Sequence, residues 1–310
     1  MTQGVRQWSS PTPINAAHTL SVLNRGRYDP VYRVVDAHMW RTAHTPDGPV
    51  TLHLHQVDEH TVDARAWGAG ATWQLHNVPQ LLGHSTDEVR EDPLAELTRN
   101  SDSLRDAYRR YAHLRVPSTQ CVFEALVFAV LEQKVVGLDA IAARNRLLKK
   151  FGTPAPGPAP DGMYVPPSAD EWRQIPSWEW HRAGVDPQRS RTIVNAARYA
   201  SRIEEAITMN RTDAYIRLQA IRGVGAWTSA EIAKTALGDT DAVSVGDYHL
   251  GRVITWAFTG RMDGNDADML ELLEPFRPHR QRVVRLLELT RFKDMPRRGP
   301  RMTRVDHRNI

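Results

Sequence analysis

Two short stretches combine residue types and spacing that bear on chemistry. Gly223-Val224-Gly225 separates two helical patterns in the run from Leu218 to Leu237. Two glycines there allow a tight reversal that leaves backbone N–H groups uncovered. Beside the positive end of the following helix, such amides form a site for a phosphate. Twenty residues beyond Trp227 stands Asp247, inside Ser244-Val245-Gly246-Asp247-Tyr248-His249-Leu250. That places a carboxylate at a helix start, directly after a short apolar run. Taken singly, each stretch has a plainer reading. Helical hairpins often use Gly for packing, and Asp is among the preferred N-caps. His53 and His55 share one face of a strand, a spacing compatible with a metal. Without a third ligand the pair reads as a solvated strand face.

The elements that must position these groups change character along the chain. Residues 31–35, 50–55 and 60–67 are β-branched, partly alternating segments with turns at Pro46-Asp47-Gly48 and Val57-Asp58-Glu59. They predict a half-exposed antiparallel sheet over residues 1–92. From residue 93 the period is helical. Val122, Phe123, Leu126, Val127, Val130 and Leu131 share a face, and residues 138–150 resume the pattern. Residues 154–167 hold six prolines and read as an irregular connection. Ser168 to Glu171 is a capping box. Asp186-Pro187 opens a helix toward Ile207. Further helices are expected at 213–219, 226–237, 248–258, 266–273 and 279–289, with Gly238 ending the second of them. The expected fold class is α+β: an antiparallel sheet domain (1–92), an all-α domain (93–290) and a basic tail (291–310).

Together, Gly-Val-Gly-Ala-Trp-Thr-Ser-Ala and Val-Gly-Asp-Tyr-His-Leu resemble the helix-hairpin-helix DNA glycosylases, most closely the 3-methyladenine DNA glycosylase II branch. The resemblance covers residues 94–289 and is strongest over 221–250. Val130-Leu131-Glu132-Gln133-Lys134-Val135-Val136 resembles the family's apolar helix and short loop entering the duplex. The helix after Asp186, with Arg189 and Arg191, is a looser match.

The resemblance implies base flipping and cleavage of the N-glycosidic bond of alkylated purines such as 3-methyladenine and 7-methylguanine. It implies Asp247 as the catalytic carboxylate, with Trp227 and Tyr248 lining a base pocket that attracts a cationic base by cation–π contact. Arg222, Gly223, Val224, Gly225 and Thr228 would hold a phosphate, and Gln133 and Lys134 would fill the space left by the flipped base. It also implies a structural Na+ or K+ on the main-chain carbonyls of Gln219, Ile221 and Val224. Bifunctional relatives carry a lysine two residues after the hairpin's second glycine. Trp227 stands there, so a monofunctional enzyme without lyase activity is expected. Arg222 in place of a proline, Gly246 before the acid, and no aromatic in residues 283–290 depart from the family pattern.

Composition narrows the class. The 310 residues carry 40 Lys+Arg and 36 Asp+Glu, a net of +4. Residues 291–310 alone hold seven basic and two acidic residues, so the other 290 carry a net of −1. Bulk charge therefore says little about the body, while the tail suits non-specific phosphate contact. A single cysteine, Cys121, excludes a disulfide framework, a four-cysteine zinc site and a cysteine-ligated iron–sulfur cluster. It points to a reducing, cytoplasmic setting. No required cofactor, no membrane partner, a duplex DNA partner and a monomeric state are expected. The competing expectations are a helix-hairpin-helix DNA-binding protein with lost or altered catalysis, and a helical interaction module. A pure binder has no need of an acid facing DNA.

Overall fold

A computed structural model describes residues 3–84, 93–99, 101–290 and 295–296. The boundary expected near residue 92 and nearly all of the basic tail lie outside the described residues. Within them no helix is long and apolar enough to cross a membrane.

The N-terminal part is a five-stranded antiparallel sheet in the order β1-β5-β4-β3-β2. Its strands are β1 (Gln3–Ser9), β2 (Tyr32–Val35), β3 (His38–Thr45), β4 (Gly48–Gln56) and β5 (Thr61–Trp67). Alternation puts Met39, Ala43, Leu52, Leu54, Val62 and Ala64 on one face. They pack there with Leu75 of the helix Ala71–His76 and with Val78 and Leu81 of the next turn. The sheet of the sequence reading is present, enlarged by β1, β3 and three short helices. On the other face His38 joins His53 and His55: the His53 and His38 rings are hydrogen-bonded at 2.9 Å, and His55 stacks on His38 at 4.5 Å. Among the described residues no group of three or more His, Cys, Asp or Glu is arranged to hold a metal ion.

The helical part contains two main hydrophobic cores. One joins Val122–Leu131, Gly137–Phe151, Pro187–Ala197 and the hairpin helices. The other joins Leu104 and Leu114 to Leu250, Ile254, Met269, Leu273, Val283 and Leu287. The helix expected over 186–207 is broken into Pro187–Ala197, Ala200–Glu204 and a 3₁₀ turn Glu205–Thr208. Asp186 caps the first piece through the N–H groups of Gln188 and Arg189. The helix expected at 248 starts at Leu250, which leaves Tyr248 in the preceding turn. The stretch 154–167 folds back as a two-stranded pairing of Thr153–Pro154 with Tyr164–Val165. Gly157, at φ +77°, lies so close to the Trp67 ring that a Cβ would overlap it.

Buried ion pairs tie the sheet to the helices. Arg144 meets Asp29 at 3.1 Å with both side chains inaccessible, and Arg41 meets Glu124 at 2.8 Å. Asp29 also accepts the N–H groups of Val31 and Arg25. Removing one partner of such a pair strands the other charge in the interior. Asp29→Ala is expected to cost about 3–5 kcal/mol, read as a lowered urea midpoint.

Candidate active site

The hairpin is built from Arg211–Gln219, a turn, and Ala226–Ile232, which continues as a wider π-helical turn over Ala233–Leu237 until Gly238 closes it at φ +66°. The two glycines of the turn have different reasons. Gly223 sits at φ +93°, where a Cβ would overlap Thr192. Gly225 has φ −105° and ψ −169°, ordinary extended backbone, and a Cβ there would meet nothing. Gly225 carries no side-chain cap, so the N–H groups of Ala226, Trp227 and Thr228 in the first helical turn have no intrahelical acceptor. Ser229 N–H is the first to bond back, to Gly225. Arg222 is exposed beside these amides. This end of the hairpin therefore offers donors and a cation to an anion.

Asp247 lies where the two helical cores meet. Val245 and Leu250 on either side of it pack with the C-terminal core, while Trp227 reaches it from the hairpin. Its carboxylate receives three N–H groups. Oδ1 accepts His249 N–H at 2.8 Å and Leu250 N–H at 2.9 Å, and Oδ2 accepts the Trp227 indole N–H at 3.0 Å. The N-cap of the helix Leu250–Thr259 is His249, two residues after the acid. Asp247 instead braces the turn before it through the His249 and Leu250 N–H groups, leaving Oδ2 to the indole. An ionised carboxylate accepts about four hydrogen bonds, so capacity remains on Oδ2. Gly246, at φ +90°, makes the turn that aims the acid, and its N–H is held by Asp266 at 2.9 Å.

Of the aromatic candidates, Trp227 is half-buried and committed to Asp247 through its N–H. Tyr248 is 75% exposed, edge-on to His249 at 4.8 Å. The two do not close a box around a ring in this structure. Gln133 donates to the Gly223 carbonyl at 2.9 Å and to the Thr228 hydroxyl at 2.7 Å, locking its loop onto the hairpin. Thr228 is buried and its hydroxyl is used in that bond, so only its main-chain N–H faces a ligand. Lys134, at φ +50°, is left as the exposed apex of the loop. Val224 is buried and donates its N–H to the Ile221 carbonyl at 2.9 Å, closing the turn; the Gln219 side chain bonds Ser229. Arg189 is buried against Asp186 and the Leu131 carbonyl and is a structural tie.

Glu231 was not singled out from sequence. It lies one turn beyond Trp227 on the same helix face, and the four-residue spacing was the available signal. Its Oε1 accepts the Ser244 hydroxyl at 2.5 Å and Lys234 at 2.6 Å. The hairpin's second helix therefore grips the acid loop at Ser244 as well as at Asp247.

No family model matches the sequence, nor does any curated protein. Solved structures do match. The chain is similar to the 3-methyladenine DNA glycosylase from Archaeoglobus fulgidus, with TM-score 0.75 at 18% identity over 93% of this chain and 99% of that one. The fold is that of the helix-hairpin-helix DNA glycosylases. An 8-oxoguanine glycosylase/lyase from Clostridium acetobutylicum, solved with double-stranded DNA, matches with TM-score 0.68 at 12% identity, over 95% and 99% of the two chains. The Schizosaccharomyces pombe 3-methyladenine DNA glycosylase, solved with abasic DNA, matches with TM-score 0.53 at 18% identity over 65% and 97%. Solved structures of this fold thus include both a glycosylase/lyase and 3-methyladenine glycosylases.

The two hairpin glycines separate fold from ligand binding. Gly223→Ala is expected to destabilise the protein by about 1–3 kcal/mol, through positive φ and the clash with Thr192. Gly225→Ala is expected to be neutral, or stabilising by about 0.4–1 kcal/mol. It should weaken DNA binding in a gel shift if a phosphate approaches that backbone closely.

Proposed function

We propose that the chain is a monofunctional DNA glycosylase that flips alkylated purines of the 3-methyladenine and 7-methylguanine type out of duplex DNA and hydrolyses their N-glycosidic bond, initiating base excision repair. The Trp227–Asp247 contact carries this reading. It fixes a carboxylate beside a phosphate-binding helix end and fills with an indole the place where a Schiff-base lysine would stand.

The work of each residue follows from its chemistry. The main-chain amides of Gly223, Gly225, Ala226, Trp227 and Thr228, with Arg222, hold the backbone of the damaged strand and position the sugar. The Val224 N–H, expected among them, is spent on the Ile221 carbonyl. Base extrusion loses a few kcal/mol of stacking, and Lys134 at the loop apex, braced by Gln133, occupies the gap. As the glycosidic bond lengthens, positive charge develops on the sugar. Asp247, already oriented by three donors, stabilises that charge without reorganising. The remaining acceptor capacity of Oδ2 takes a proton from the attacking water. A cationic alkylpurine leaves readily, so no strong general acid is needed. Tyr248 offers an exposed aromatic face to the base or its neighbour.

The carbonyls of Gln219, Ile221 and Val224 are oxygen donors in a sharp turn, and that of Ile221, which accepts the Val224 N–H, keeps a second lone pair. In kind they fit a Na+ or K+, which would add positive charge next to the bound phosphate. The same chemistry implies duplex DNA as partner and a monomer as the acting unit.

Asp247→Asn keeps the two main-chain bonds on Oδ1, removes the charge and gives up the Trp227 bond, because an amide nitrogen cannot accept the indole N–H. It is expected to leave abasic-DNA binding within about twofold while lowering base release about 10²–10⁴-fold in single-turnover assays. Base release at the wild-type rate would contradict the assignment. So would an enzyme–DNA adduct trapped by borohydride, which would reveal a lyase.

A further inference from the structure

Between the sheet and the helices, next to the acid loop, lies a cleft of about 610 Å³, counting its solvent-filled mouth. Arg25, Phe128, Glu132, Glu231 and Thr235 are among its lining residues. It adjoins the site through Glu231, which holds Ser244 three residues before Asp247 and sits one helical turn from Trp227.

The cleft is not an aromatic box. The Phe128 ring is already covered by the Arg144 guanidinium, 4.3 Å from its centroid. Trp227 is committed to Asp247 and Tyr248 is in solvent. Carboxylates take that place. Glu231 uses Oε1 for both Ser244 and Lys234, and its Oε2 accepts no hydrogen bond among the described residues. Glu132 likewise gives Oε1 to Arg25 at 2.7 Å and leaves Oε2 without a partner among them. Each carboxylate is anchored by a cation at one oxygen, and both residues line the cleft.

The geometry points to Glu231, seconded by Glu132, as the residue that reads the extruded base: its Oε2 accepts the N–H donors of a cationic purine through charge-assisted hydrogen bonds. This deepens the glycosylase reading and rests on it for the identity of the ligand. The substrate class it selects is a purine that carries positive charge and presents N–H donors. Charge-assisted bonds of this kind are about twice as strong as neutral ones. A neutral purine with the same outline forfeits the charged part of the contact. Recognition here is by carboxylate, where cation–π stacking was the expectation from sequence.

The test uses duplex DNA containing one 2′-fluoro-7-methylguanine, whose glycosidic bond resists cleavage, against the same duplex with guanine. Binding is read by fluorescence anisotropy for the whole protein and its variants. The wild type is expected to prefer the methylated duplex. Glu231→Gln, which keeps size and the bond to Ser244, should lower that preference at least tenfold, and Glu132→Gln should lower it less. Ser244→Ala, which leaves the carboxylate in place, should keep it. A preference unchanged in Glu231→Gln overturns the inference. So does equal loss in Ser244→Ala, which would mean that Glu231 acts only by holding the acid loop. Base release from methylated DNA is measured alongside. A wild type that shows the Glu231-dependent preference but releases no base refutes the glycosylase reading and leaves the recognition standing. Release without that dependence does the reverse.

Discussion

A half-buried carboxylate at the seam between two hydrophobic cores must be satisfied by donors from both sides, and Asp247 is. Two main-chain N–H groups come from the helix that begins at Leu250, in the C-terminal core. The third donor is the Trp227 indole, from the hairpin in the middle core. An unsatisfied carboxylate there would cost far more than any single contact returns. The acid therefore acts as a joint between the two bodies. Because Glu231 also holds Ser244, one helix carries the uncapped amides at its start and both grips on the acid loop along its length. The distance from the hairpin amides to the carboxylate is consequently set within one rigid unit, and the proposed hydrolysis would draw on that positioning.

The sheet contributes in a different way. It reaches the helical bodies through ion pairs, Arg144 with Asp29, Arg41 with Glu124 and Arg25 with Glu132. Replacing such pairs by apolar residues often leaves stability unchanged or raises it, so stability alone gives little reason for so many charges. All of these residues except Asp29 line the cleft beside the acid loop. A wall of paired charges presents a fixed array of donors and acceptors, which suits a polar heterocycle better than an apolar wall would.

Much of this was legible from residue pattern, and the exceptions have physical causes. β4 and β5 alternate in part and are rich in β-branched residues, which makes them legible. β3 was missed because Arg41 occupies an inward position, a charge tolerated only through Glu124 across the domain seam. β1 was missed because it is an edge strand on which only Trp8 is buried. The break after Ala197 has no glycine or proline to announce it. At the site, the hairpin and Asp247 were readable because glycine and an acid just before a helix leave local signatures. The committed indole of Trp227, the bracing role of Gln133 and the grip of Glu231 on Ser244 were not. Each is a contact between segments that are 13 to 95 residues apart in the chain. No local pattern encodes such a meeting.

The reading that joins these parts is a hydrolysis with no covalent enzyme–DNA stage. Its most direct measurement is chromatography of the bases freed from alkyl-methylated duplex DNA by the wild-type protein, with strand integrity followed in the same samples. The account predicts free 3-methyladenine and 7-methylguanine, from strands that stay intact until alkali is added. Absence of both bases at saturating protein would contradict it.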